Sequence, residues 1–223
     1  MIKIDLHVHS QYSEDALGSP KEIIKILKNK GINGMAITDH NTFEGSIKAK
    51  KIAPKDFIVI PGVEISTNVG HLIALDIEKP IKSRKSIEET VEKIIDYGGT
   101  PIVPHLYRNM SGIKEENLKK IYKKIFAIEV FNACSVPQTN VKTARLAREM
   151  NLGGTGGSDA HDPEYAGNGY TVVNTTDFTK DSIISEIKKK KTWGEGTILP
   201  LSYRSDRMVN SIKQFFQRGF KRI

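Results

Sequence analysis

The chain has one cysteine, Cys134, few aromatic residues (7% of 223), and no apolar run approaching the roughly 18 residues of a membrane-spanning helix. A lone thiol cannot close an internal disulfide, so oxidative stapling is excluded and a reducing compartment is compatible. The opening MIKIDLHVHS lacks the basic, apolar and small-residue regions of a signal peptide, so the expected location is cytoplasmic. Internal repeats, low-complexity segments and Pro/Gly/Ser linkers are also missing, and one α/β domain is the economical reading. Acidic excess is absent: the net charge is +8, and Tyr203 to Ile223 supplies +5 of it, six Lys/Arg against Asp206. The body is only mildly basic, which argues against a surface-wide nucleic-acid footprint and leaves the tail as a region that could meet an anionic partner. No obligate protein partner is evident.

What is present is alternation. Short β-branched runs near Lys3–His7, Gly34–Thr38, Ile58–Val63, His71–Asp76, Thr100–Pro104, Ala127–Phe131, Gly153–Gly157 and Tyr170–Val173 read as strands. Stretches of helical period lie between most of them, at Thr42–Lys51, Ser86–Tyr97, Lys114–Lys124, Gln138–Met150, Thr179–Lys190 and Arg207–Arg218. The first helix has the sharpest boundaries: Ser19 and Glu22 satisfy free amides, Pro20 needs none, and Gly31 stops it. Such alternation makes either an open doubly wound sheet or a barrel.

The six histidines decide between them, because all lie at or just beyond a strand end. In DLHVHS, Asp5, His7 and His9 share parity, so one strand face presents them together while Leu6 and Val8 point the other way. By itself this pair reads equally well as two polar residues at a strand end. TDH closes the second strand at His40, PGVE ends the third in Glu64, His71 opens the fourth, VPH ends in His105, and GSDAH gives Asp159 and His161 matched parity. Parallel strands alternating with helices have their carboxyl ends on one face, where α/β barrels collect catalytic groups, so the set converges. Imidazole nitrogens mixed with carboxylate oxygens suit zinc, manganese or iron, while the lack of clustered cysteine argues against a structural zinc or iron–sulfur site.

With His-x-His, TDH, a Glu ending the third strand and GSDAH in this order, the chain from residue 2 to about 175 resembles the PHP family, the polymerase and histidinol phosphatase superfamily of metal-dependent phosphoesterases. The resemblance implies a distorted (β/α)7 TIM-like barrel, assigned to residues 1–200; residues 201–223 read from their own apolar spacing as a basic amphipathic helix packed on it. It implies two to three divalent metal ions. His7, His9, Glu64 and Asp159 would ligate the first; Glu64 would bridge to a second held by His71 and His105; Asp15, His40 and His161 would form the third set. The softest of these are Asp15, beside Glu14 in a loop, and His71, near a strand start.

The expected chemistry follows from that set. Phosphate-monoester hydrolysis is among the slowest uncatalysed reactions, and clustered metals lower the pKa of a bound water from 15.7 toward about 7, giving metal-bound hydroxide as nucleophile. Asp159 would also steer the attacking water, and Glu64 and Asp159 are the expected catalytic pair. Arg108 is the candidate substrate-binding residue, since guanidinium matches phosphate in two parallel bonds, although a solvated loop arginine is an equal reading. Asp5 and Asp39 either orient ligand imidazoles or bond backbone amides. Cys134 reads as a small buried thiol. Met208, Ile212, Phe215, Phe216 and Phe220 form an apolar stripe for which packing on the body is the default and a membrane or nucleic-acid contact the alternative. The expected substrate is a small phosphorylated metabolite, a nucleotide or an oligonucleotide end. Histidinol-phosphate phosphatase, a non-catalytic metal-bound interaction module, and a hydrolase of amides or carboxylic esters are the rival readings.

Overall fold

Residues 1–109, 111–217 and 219, which the computed structural model describes, contain ten strands and seven α-helices. The strands are β1 (Ile2–Val8), β2 (Gly34–Ile37), β3 (Ile58–Val59), β4 (Gly62–Ser66), β5 (His71–Leu75), β6 (Thr100–Val103), β7 (Ala127–Asn132), β8 (Gly153–Gly157), β9 (Gly169–Val173) and β10 (Thr192–Gly196). The helices are α1 (Pro20–Asn29), α2 (Glu44–Ile52), α3 (Ile87–Asp96), α4 (Glu115–Ile121), α5 (Pro137–Glu149), α6 (Lys180–Lys188) and α7 (Leu201–Gln217). Local chemistry sets several boundaries. The Ser19 hydroxyl accepts from the Glu22 amide at 3.2 Å, with Pro20 following, and α1 ends before Gly31 at φ 71°. At α3 the exchange is reciprocal, Ser86 capping the Glu89 amide while the Glu89 carboxylate returns to the Ser86 amide.

The α/β class is as expected, but the strands do not make one parallel ring. They form two five-stranded mixed sheets, in the orders β10-β9-β1-β2-β3 and β4-β5-β6-β7-β8. The run expected as a single strand over Ile58–Val63 breaks between β3 and β4 around Pro61, which has no N–H to donate to a ladder. β5 runs antiparallel to both β4 and β6, and β9 antiparallel to both β1 and β10. Where the sheets meet, isolated parallel bridges join Val8 with Ala160 and His40 with Glu64, and the Thr171 and Thr192 hydroxyls bond the β8 backbone at Gly156 and Gly154. Ile4, Leu6, Ile60, Ile73, Ile102 and Val173 form a buried core drawn from both sheets, while α1 and α2 cover one outer face and α3, α4 and α5 the other. Fully burying each such side chain contributes roughly 1.5–3 kcal/mol.

The last helix departs from expectation. It starts six residues earlier than the expected Arg207, and Met208, Ile212 and Phe216 of the expected stripe are exposed, as is Val209. Its contacts run through polar and aromatic groups instead. The Tyr203 ring packs 4.1 Å from Tyr165, Arg204 donates to the carbonyls of Leu199 and Ser135, and Arg207 reaches Asp15. Arg218, Phe220 and Lys221 lie outside the described residues, as does the side chain of Phe215. Among the described residues, no helix is long and apolar enough to cross a membrane.

Candidate metal centre

The six imidazoles and the carboxylates of Asp15, Glu64 and Asp159 meet at one end of the two sheets. His7 and His9 come from the end of β1, His40 from the loop after β2, Glu64 from the middle of β4, His105 from just beyond β6, and Asp159 and His161 from the segment after β8. His71, at a strand start, belongs there because β5 is antiparallel to its neighbours, so its first residue lies beside the carboxyl end of β6. The expectation that all site residues follow parallel strands is corrected at that position, and Glu64 sits within a strand rather than past its end.

His7 Nε2 lies 3.2 Å from His9 Nε2, and each of these nitrogens lies 3.4 Å from Glu64 Oε2 and 3.4 Å from Asp159 Oδ1. Ligand atoms at about 2.0–2.1 Å from a tetrahedral zinc are spaced about 3.3–3.4 Å apart, so five of the six edges of such a cage are matched by protein atoms alone. The other Glu64 oxygen, Oε1, meets His105 Nε2 at 2.8 Å and His71 Nδ1 at 3.0 Å, and Oε2 also lies 3.2 Å from His40 Nδ1. Asp15 Oδ2 is 3.2 Å from His161 Nε2 and 3.8 Å from His40 Nε2. His40 Nδ1 and His161 Nε2 are buried and close to carboxylate oxygens, yet neither makes a hydrogen bond among the described residues. That is the spacing of co-ligands rather than of bonded partners. A His/Glu/Asp set of this kind suits borderline and hard divalent ions, and the residues present fit them.

Electrostatics point the same way. Burial alone would raise Glu64, but the imidazoles of His71, His7 and His40 hold its carboxyl well below the usual range. Burial likewise works against ionisation of Asp159, and Arg108 with His7 overrides it. At His7 burial disfavours charge, yet Asp159, Glu129 and Glu64 drive its pKa well up. Burial meanwhile holds His9, His40 and His105 toward the neutral form, so neutral imidazoles stand among ionised carboxylates, the state in which both act as metal ligands.

Glu129, which sequence reading passed over, has a central place. Its Oε1 accepts from His7 Nδ1 at 2.9 Å, which fixes a proton on Nδ1 and would leave Nε2 as the nitrogen to face a metal ion. Its Oε2 accepts from the His105 amide at 2.7 Å and the Asn132 amide group at 2.9 Å. The available signal was one carboxylate amid the apolar strand AIEVFN. Asp5 and Asp39, weighed for that role, take the other one. Asp5 accepts from the backbone amides of His7, Ser158 and Gly167, and Asp39 from the amide and hydroxyl of Ser10. Burial pushes Asp39 up to about 7 and Asp5 up to about 6. Arg108 is no free loop arginine: Nη1 lies 2.5 Å from Asp159 Oδ2 and Nη2 donates to Asn132 Oδ1 at 2.8 Å. Cys134 is half-buried rather than buried; it donates to the Asp159 carbonyl at 3.6 Å, and desolvation pushes its thiol up to about 12.

Backbone shape completes the site. His105 and Asp159 adopt φ of 28° and 52°, conformations costing about 1–3 kcal/mol each for residues with a side chain. The His105 amide is held by Glu129, and the Asp159 amide donates to the His7 carbonyl at 2.6 Å. At Gly157 an added Cβ would lie 2.2 Å from His7 Cβ and 2.9 Å from Glu129 Oε1, so glycine is what lets β8 pass the pair. Gly157→Ala is expected to destabilise the fold by about 1–3 kcal/mol in chemical denaturation, as overpacked sites do. An unchanged midpoint would refute this account of the His7–Glu129 contact.

The PHP domain family matches residues 5–129, and the PHP-associated family residues 137–192. An uncharacterised protein of Methanocaldococcus jannaschii is 37% identical over 148 residues, 59% of this chain and 82% of its own length. A 5'-3' exoribonuclease of Haemophilus influenzae is 28% identical over 142 residues, 57% of this chain and 51% of its own. Among solved structures, a two-domain protein of Bacteroides vulgatus containing a predicted PHP-like metal-dependent phosphoesterase superposes with a TM-score of 0.75 at 18% identity, covering 88% of this chain and 65% of that one.

Proposed function

This chain belongs to the PHP family, and from that premise we propose that it is a metal-dependent phosphoesterase hydrolysing a phosphomonoester or phosphodiester in a small phosphorylated metabolite, a nucleotide or an oligonucleotide end. The observation that carries the reading is the cage of His7, His9, Glu64 and Asp159, whose donor atoms stand 3.2–3.4 Å apart. Those four residues would hold one divalent ion, Glu64 with His71 and His105 a second, and Asp15, His40 and His161 a third, with zinc, manganese or iron as candidates. Bound there, such ions would supply Lewis acidity and a water of lowered pKa.

The protein's own groups do the rest. Glu129 fixes the His7 tautomer, and Arg108 with Asn132 holds Asp159 Oδ2, leaving Oδ1 toward His7 and His9 to orient an attacking water. Burial of the cluster excludes bulk water, which strengthens every charge interaction inside it. The Haemophilus exoribonuclease favours an oligonucleotide end among the substrates.

The test uses the purified chain with manganese or zinc, an aryl phosphate, an aryl phosphodiester and end-labelled oligonucleotides. Wild type is expected to turn over at least one of them and His40→Ala to lose that turnover. Equal rates from the two proteins would instead favour a non-catalytic metal-bound module.

A further inference from the structure

Amphipathic helices usually turn their apolar stripe to the body, and α7 turns charged and aromatic groups to it. Its apolar residues Met208, Val209, Ile212 and Phe216 are exposed, while the side turned to the metal centre carries Tyr203, Arg204 and Arg207. Arg207 donates through Nη1 to the Asp15 carbonyl at 3.1 Å and through Nη2 to Asp15 Oδ2 at 3.2 Å. The Tyr203 hydroxyl accepts from the His161 amide at 3.4 Å. Ser135 joins two more guanidiniums: its carbonyl accepts from Arg204 Nη1 and its hydroxyl from Arg108 Nη2, both at 3.4 Å. Two arginines thus border the cluster, Arg108 on the Asp159 side and Arg207 on the Asp15 side, with His161 between the two carboxylates and Arg204 on the adjoining Ser135 carbonyl. Both Arg108 and Arg207 also act electrostatically on the Cys134 thiol, so their charges sum in one region.

Like charges so gathered repel unless an anion joins them. The two carboxylates they touch belong to the proposed ligand sets and would be neutralised by metal. A guanidinium carries five N–H donors; Arg207 commits two to Asp15, and its side chain remains 20% exposed beside the centre. We propose that Arg207, supplied by α7, is a phosphate-binding residue of this site: it grips non-bridging oxygens of the substrate phosphate while steadying Asp15. This rests on the phosphoesterase reading and deepens it, since the inward charged face of α7 selects a phosphate group over an uncharged ester.

The experiment measures inorganic phosphate binding to the full-length, metal-loaded protein by calorimetry, with metal content by elemental analysis. Arg207→Ala is expected to bind phosphate about 10- to 100-fold more weakly, the range for a lost charged hydrogen bond, at unchanged metal content. Arg207→Lys should recover part of that loss, a charge without the fork. Unchanged phosphate affinity in Arg207→Ala overturns the proposal, as does loss of a metal ion from that variant with phosphate affinity falling in proportion. Wild type that binds metal but neither binds phosphate nor hydrolyses any phosphoester would overturn the functional reading itself, which separates the two failures.

Discussion

Glu64→Gln is expected to lower phosphoester hydrolysis further than any other conservative single change in the chain. Its two oxygens lie within 3.4 Å of five imidazoles, those of His7, His9, His40, His71 and His105, so it is the one side chain common to the first two proposed ligand sets. The amide keeps the shape but removes the charge and replaces one acceptor with a donor facing nitrogen lone pairs. Glu129→Gln is the internal standard. It removes no proposed ligand but alters the residue that orients His7 and holds the His105 amide, for which a loss of about 10–100-fold in metal affinity or activity is usual. Steady-state rates on a common substrate should place Glu64→Gln beyond that interval. A loss no larger than that of Glu129→Gln would remove Glu64 from the bridging position.

Metal loading is expected to raise the thermal midpoint substantially. A ligand that binds only the folded state at a hundred times its Kd adds about 2.7 kcal/mol, and in a chain of this size each kcal/mol moves Tm by about 2–4 °C. The midpoint with saturating zinc or manganese should therefore exceed that in chelator by about 5–11 °C. The physical source is the bare cluster, where Glu64, Asp159 and Glu129 are buried together and rely on a proton at His7 for balance. Identical melting curves in metal and chelator would contradict the fit of these residues to cations.

Much of this site was legible before any coordinates, for a simple reason. A strand end is a topological address, and five of the six histidines carry theirs in the local pattern: DLHVHS, TDH, VPH and GSDAH. His71 does not, because its membership depends on β5 running antiparallel, which is decided by pairing across the sheet and not by its own residues. Glu129 was hidden because a single acid in AIEVFN does not announce which distant imidazole it will meet; its partner is 122 positions away. β10 escaped notice since TWGEG is poor in the β-branched residues that mark strands, and it forms by pairing with β9. Periodicity found the last helix and its stripe but not which side would find the body. Contacts at Tyr203, Arg204 and Arg207 decide that, and they are long-range.

One feature of the architecture bears on how the molecule moves. One of the two isolated bridges between the sheets, His40 with Glu64, lies inside the ligand cluster. His7 and His9 come from one sheet, and Glu64 and Asp159 from the other, so the first proposed ion would tie the two halves together at this seam. Loss of such an ion is expected to let the backbone amides along this seam exchange faster with solvent, so that breathing of the protein and occupancy of its site would report one equilibrium.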